Sequence, residues 1–386
     1  MRGVLGILLL GCMAVACATT SLPPVTKNFV PEEDERRLWL RSEEEQRVIN
    51  RSGLLYKDED LEAYLNGVSQ RLLSEETGDQ VPIKVFVLKN PLLNAFAFPN
   101  GVIYVHTGIL ASMDNEAQLA TLLGHEMIHV THRHLVKMQR DIKNRTAFLA
   151  AFQVATVALG PWGSLAGALG TIGTIAAVTG YSRENETEAD TEGFRLVALA
   201  GYDVEETPKL FVHLKREVEE ERIKEPFFFG THPRLQERID NYKALLSVRS
   251  RTGEGGTRNS ETFLTKTSRL VLENATLDLK AGRFKVARQG VEKYLTVRQD
   301  DAKAFCLLGE IHRQQGELEE AKEDYHKAIS LDPAHPDSHR GLGLIYFKEN
   351  NRELARDHLE QYLRLSPKAL DRAYIEEYIA RCRERG

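Results

Sequence analysis

The chain has 386 residues, 42% of them hydrophobic, which is room for two or three domains with substantial cores. Its 51 basic residues stand against 56 acidic ones, a formal charge of -5 with no basic stripe, so nucleic acid is excluded as an expected partner. Four cysteines, two of them (Cys12 and Cys17) at the N-terminus, rule out a disulfide scaffold for the body of the chain, and none sits in a C-x-x-C zinc pattern.

Residues 1–16 read as an export signal. Arg2 supplies a positive charge, and the apolar run from Val4 to Val15 is short of the roughly 20 residues that span a membrane. It ends in Ala14-Val15-Ala16 directly before Cys17, which resembles a bacterial lipoprotein signal with Cys17 as the lipidated residue. Cys12 after Leu9-Leu10-Gly11 is the alternative, and plain secretion the third reading. All three place the mature protein outside the cytoplasm, and the first predicts a periplasmic lipoprotein anchored to the outer membrane.

Residues 17–45 are expected to be a tether followed by a charge-dense, solvated helix, with helical character from Pro31 to Asn50. From Asp58 to Leu73 the apolar residues Leu61, Tyr64, Leu65, Val68 and Leu72 recur at helical spacing and predict one buried face. Val81 to Leu88 alternates and is β-branched, hence a strand. Asn94-Ala95-Phe96-Ala97 leads through an Asn100-Gly101 turn into a second strand, Val102–His106. A helix capped by Asp114 or Asn115 follows.

That helix carries His125-Glu126-Met127-Ile128-His129, an H-E-x-x-H pattern. At about 3.6 residues per turn the two imidazoles rise from one face and can share an ion, for which zinc is suited. Glu126 sits about 100° around the helix, able to reach a water at the ion without ligating it. Catalytic zinc has three protein ligands and one open position, so a third ligand must come from elsewhere. Candidates lie in the helix from Tyr181 to about Ala200, where Glu186 and Asp190 share one face and Glu184 and Glu188 the other. Ala189, Gly193 and Val197 favour the first face, with Glu186 as ligand and Asp190 accepting the distal N–H of a ligand histidine; the second face stays open. His132 and His134 read as solvated or structural, and His132 as an outer neighbour of the ligands at most.

Between these helices, Thr146 to Gly180 lacks charge and is split by Gly160-Pro161-Trp162-Gly163. A helical hairpin beside the site is expected, a membrane-dipping hairpin being its rival. Thr207–Arg222 and Arg234–Ser247 are further helices flanking a loop that contains His232, and residues 249–265 form a polar, Gly-rich linker.

Residues 266–384 repeat themselves. Laying 302–335 over 336–369 aligns Leu308 with Leu342, Gly309 with Gly343, Ala321 with Ala355 and Pro333 with Pro367, the 34-residue period of the tetratricopeptide repeat (TPR). A degenerate first repeat covers about 268–301, and residues 370–384 would be the capping helix. Cys306 is then a small core residue, a bridge to Cys382 being the alternative.

H-E-x-x-H followed by Glu186-Thr-Glu-Ala-Asp190 resembles the HtpX and CAAX-prenyl-endopeptidase superfamily of zinc metallopeptidases. Asn94-Ala-Phe-Ala with Pro99 to Val105 is similar to its substrate-side strand, and His232-Pro233-Arg234 through Arg238 to its late motif, so the match spans residues 45–248. The resemblance implies His125, His129 and Glu186 as ligands of one Zn2+ per chain and Glu126 as general base. His232 and Arg238 are candidate donors to the oxyanion, and His232 a candidate latch on the ion's open position. Backbone at Asn94, Ala95, Phe96 and Ala97 is expected to bind an extended substrate by strand addition.

The expected architecture is therefore an α+β zincin-like metalloprotease domain over residues 46–248, mostly helical with a small sheet, followed by an all-α TPR solenoid. Exported signal, protease and TPRs together are most similar to the superfamily's periplasmic branch. That layout implies unfolded or stalled outer-membrane proteins as substrates and the β-barrel assembly machinery as a partner docked by the TPRs. The competing function is a TPR adaptor or chaperone with a vestigial metal site.

Overall fold

The computed structural model describes residues 22–73, 80–143, 172–173, 181–220, 235–248 and 255–384. Elements are numbered in chain order among these residues. The first helix, α1 (Glu33–Arg51), is more than the solvated rod its charge suggests. Glu35, Leu38, Ser42, Gln46 and Ile49 are buried at helical spacing, so one face is packed while the other carries the charge. The preceding segment is also fixed, with Leu22 and Val25 buried and the Val25 amide donating to Thr131 O at 2.7 Å. The expectation of a tether and a solvated helix over residues 17–45 is corrected from residue 22 on, because the apolar side chains there pack on the domain that follows.

Helix α2 (Glu59–Leu72) buries Leu61, Leu65, Val68, Ser69 and Leu72 against a three-stranded sheet of β1 (Lys84–Leu88), β2 (Ala95–Ala97) and β3 (Val102–His106). The strand order is β1-β3-β2, with β1 parallel and β2 antiparallel to β3. β3 is central and buried on both faces, which its run of Val, Ile, Tyr and Val permits. Gly101 closes the β2–β3 turn at φ +93°, where a Cβ would lie 2.4 Å from Pro82 O, so a side chain is barred twice over. Phe96, Phe98 and Tyr104 interlock on one side of the sheet with Ile49 and Leu135.

Beyond the short α3 (Thr107–Ser112), α4 (Glu116–Thr131) runs through the middle of the domain with all of its residues buried. Asn115 caps it by accepting the Gln118 amide at 3.0 Å. Helix α5 (His134–Lys143) turns away from its end, α6 (Arg183–Leu199) packs along it, and α7 (Thr207–Glu220) and α8 (Leu235–Val248) close the domain. Two helices come closest where glycine faces glycine: a Cβ on Gly124 would lie 3.2 Å from Gly193 O, and one on Gly193 would lie 3.0 Å from the His125 nitrogen.

The repeats are α9 (Ser260–Lys280) with α10 (Phe284–Leu295), α11 (Ala302–Gln315) with α12 (Leu318–Leu331), and α13 (Pro336–Lys348) with α14 (Arg352–Leu365), capped by α15 (Arg372–Arg383). Cys306 and Cys382 are both buried and free, so the expected alternative of a bridge is not made. The linker expectation is corrected at 255–259, which is clamped to the first domain before α9 starts at Ser260. The Thr257 amide donates to Gly201 O at 2.9 Å, Arg258 Nε to Asp203 Oδ2 at 2.6 Å, and Asn259 Nδ2 to Glu116 Oε1 at 2.8 Å. Helix α9 packs on α2, α3 and α4, and Lys293 of α10 donates to the carbonyls of Ala111 and Met113 at the end of α3. The two domains therefore share a seam that is hydrogen-bonded at its edges and apolar at its centre, where Phe263 and Leu270 of α9 join the first domain's core. Among the described residues no helix is long and apolar enough to cross a membrane. The hairpin expected at 146–180 lies outside the described residues apart from Ile172 and Gly173, as do Cys12, Cys17 and His232.

Candidate metal centre

Helix periodicity puts His125 and His129 on the same face of α4, and tertiary packing of α6 brings Glu186 to them. The two Nε2 atoms are 3.0 Å apart, and Glu186 Oε2 and Oε1 lie 3.5 Å from the His125 and His129 Nε2 atoms. Zinc–ligand bonds of about 2.0–2.1 Å at tetrahedral angles space ligand atoms about 3.3–3.4 Å apart, close to all three separations. Each of the three side chains is almost wholly excluded from solvent. Among the described residues this is the one cluster of three or more His, Cys, Asp or Glu that could hold a metal ion. Of the acidic residues on α6, Glu184 is exposed and Glu188 turns toward His134, so Glu186 is the carboxylate that faces both rings.

Glu126 is buried next to the cluster, and its Oε1 has no hydrogen-bond partner among the described residues. A buried carboxylate oxygen without a protein donor calls for a polar atom in the site, as an ion and its water would provide. Burial pushes the Glu126 carboxyl up to about 7, with the charge of Glu186 adding to the rise against the opposing effects of His125 and Arg238. A carboxyl poised there can take and return a proton near neutral pH. The residues present thus fit a divalent ion with three protein ligands and a carboxylate beside the remaining position.

Behind His125 stands a buried polar cluster. Asp190 Oδ1 lies 3.0 Å from His125 Nδ1, Tyr242 Oη donates to the same oxygen at 2.6 Å, and Arg238 donates through Nε and Nη2 at 3.1 and 2.5 Å. Burial opposes ionisation of Asp190, but Arg238 and His125 outweigh it and hold its carboxyl below the ordinary range. The expectation that Arg238 donates to an oxyanion is corrected here. Its guanidinium is 0% exposed, stacks 4.2 Å over Phe211, and meets His125 at Nδ1, the edge of the ring turned away from the ion-facing Nε2. Arg238 orients Asp190 rather than facing a substrate.

Three participants escaped the sequence reading. His134 is fully buried, with Nδ1 2.8 Å from His129 Nδ1 and Nε2 2.9 Å from Glu188 Oε2. Tyr181 stacks on the His129 ring at 3.9 Å between centroids. Tyr242 stands four residues after Arg238 on α8, a helical spacing that could have flagged it. No periodicity links His129 to His134, because the chain leaves the helix between them. At the sheet edge, His106 N donates to Asn94 O and Phe98 N to Val102 O, so the alternation of the ladder turns the main-chain groups of Ala95 and Ala97 to the outer edge of β2, which packs beside α4.

A buried H-E-x-x-H helix, a facing carboxylate helix and a small mixed sheet, followed by paired helices, define a zincin-type metallopeptidase domain joined to a TPR array. Residues 57–246 match the model of peptidase family M48, and TPR models match residues 272–321, 309–350 and 341–368. It is 30% identical over 197 residues to the putative beta-barrel assembly-enhancing protease of Vibrio cholerae, covering 50% of this chain and 40% of that one. It is 30% identical over 200 residues to the beta-barrel assembly-enhancing protease of Escherichia coli K12, with the same coverage. Over 132 residues it is 31% identical to the mitochondrial metalloendopeptidase OMA1 of Arabidopsis thaliana, covering 34% of this chain and 25% of that one. The chain thus spans less than half the length of these relatives.

Proposed function

We propose that this chain is an exported zinc-dependent endopeptidase that cleaves unfolded or misassembled envelope proteins. The observation that carries the reading is the convergence of His125, His129 and Glu186 with a buried Glu126 carboxyl alongside. Zinc held there would supply a Lewis acid that acidifies a water and polarises a peptide carbonyl. Glu126 takes the proton of the attacking water at its carboxylate and returns it to the amine as the C–N bond breaks. Asp190, fixed by Arg238 and Tyr242, holds the His125 ring by its Nδ1–H. The outward main-chain groups of Ala95 and Ala97 pair with an extended substrate, which selects unfolded chains over folded ones.

Likeness to the beta-barrel assembly-enhancing proteases supports outer-membrane proteins as substrates and a β-barrel assembly partner docked by the TPR domain. The N-terminal signal with Cys17 supports a lipid anchor in the periplasm. Metal analysis of the purified chain, paired with proteolysis of unfolded casein by wild type and Glu126→Gln, tests the enzyme reading. One zinc per chain in both proteins is expected, with hydrolysis reduced about 10²–10⁴-fold in the variant. A chain without metal, or Glu126→Gln with full activity, would return the protein to the TPR adaptor reading.

A further inference from the structure

Helix α4 ends in an unusual way. Arg133 has φ +59°, the left-handed region that a branched or long side chain adopts at a cost, and α5 restarts directly at His134. The strain is held by the packed N-terminal helix: Arg133 donates to Glu35 through Nε at 3.0 Å and Nη2 at 2.6 Å, and its guanidinium lies 5.1 Å over the Phe29 ring. The reversal folds His134 back under the metal cluster, where it meets His129 on one side and Glu188 of α6 on the other.

We propose that His134 is a positioning residue through which Glu188 dictates which nitrogen His129 offers to the metal. The inference rests on the metal reading above and adds the device that orients its second histidine. A carboxylate only accepts, so the proton of His134 sits on Nε2, 2.9 Å from Glu188 Oε2. In the neutral ring Nδ1 is then a bare lone pair. Only one proton fits between the Nδ1 atoms of His134 and His129 at 2.8 Å, and it must belong to His129. The Nε2 of His129 is left as the lone pair that faces His125 and Glu186. His125 has a carboxylate in direct contact, with Asp190 Oδ1 3.0 Å from its Nδ1. Each ligand histidine thus has its own carboxylate, one in contact and one relayed, and both carboxylates come from α6.

The experiment uses the full chain, stripped of metal and reloaded. Histidine-selective nitrogen NMR of the metal-free protein reads the tautomer of His129, and competition with a chromophoric chelator reads zinc affinity. Wild type should carry the His129 proton on Nδ1. His134→Phe and Glu188→Ala should weaken zinc binding about 10–100-fold and leave His129 a mixture of tautomers. His134→Gln, which can accept from His129 and donate to Glu188, should recover most of the affinity. Because Glu188 is partly exposed, Glu188→Ala tests the relay even if His134→Phe does not fold. Unchanged zinc affinity in folded Glu188→Ala, or a wild-type His129 protonated on Nε2, overturns the relay. A wild type that binds no zinc overturns the metal reading instead, a different result from the same titration.

Discussion

Gly193 of α6 lies against the backbone of His125 in α4, so close that a Cβ there would stand 3.0 Å from the His125 nitrogen. The contact sets the distance between the two helices, and with it the distance from Glu186 to the imidazoles. Gly193→Leu is therefore expected to push α6 outward and separate the third ligand from the pair. Overpacking of this kind costs about 1–3 kcal/mol of stability. Zinc content and proteolysis should fall together while the TPR domain keeps its fold. Metal analysis beside circular dichroism checks this; full zinc occupancy in the variant would refute it.

Asp190 and Arg238 form a buried ion pair completed by Tyr242. Removing one partner of such a pair strands the other charge away from water, at about 3–5 kcal/mol. Arg238→Leu should lower the unfolding free energy from urea titration by that order and weaken metal binding, since Asp190 loses the guanidinium that helps aim it at His125. Tyr242→Phe, which deletes one hydrogen bond to the same carboxylate, should cost less, about 1.5–3 kcal/mol. Equal losses in the two variants would contradict this ranking.

Glu116 predicts a pH dependence. Burial opposes its ionisation, but hydrogen bonds from Tyr64, Asn259 and Tyr202 and the charge of Arg71 hold its carboxyl below the ordinary glutamate value of 4.5. The folded chain therefore binds fewer protons here than the unfolded one. The stabilisation is complete above about pH 4.5 and is lost as pH falls through the depressed folded value. Glu116→Gln should be less stable than wild type at pH 7, and the gap should shrink below pH 4. Paired urea titrations at the two pH values measure it. Because Asn259 joins this cluster, the variant should also loosen the seam to the TPR domain, visible as faster proteolysis at 255–259.

Metal removal should act as the loss of a bound ligand. An ion that joins α4 to α6 stabilises the native chain by RT ln(1 + [L]/Kd), about 2.7 kcal/mol at a free concentration one hundredfold above Kd. Chelation should lower the Tm, excess zinc should restore it, and Glu186→Ala should abolish the response. A Tm indifferent to chelator in wild type would speak against a held ion.

Much of this was legible in the residues alone. H-E-x-x-H, the 34-residue repeat and the Asn100-Gly101 turn depend on spacings along one element, and local geometry carries such information without help from the rest of the chain. The face of α6 that holds Glu186 was favoured by Ala189, Gly193 and Val197, because small and apolar neighbours mark the packed side of a helix. Charge content misled at α1, where a single buried stripe outweighs an exposed acidic surface, and Gly-rich composition misled at 255–259, where backbone hydrogen bonds clamp the chain.

The chain by itself determined the pair of imidazoles, the neighbouring carboxylate and the order of the domains, all of them properties of periodicity. Which acid completes the cluster, why Arg238 turns from a substrate contact into a buried brace, and how His134 comes to touch His129 were decided only by the tertiary structure. Those relationships join residues on different helices or across a left-handed turn, and no spacing along the chain encodes the packing that brings them within 3.5 Å of one another.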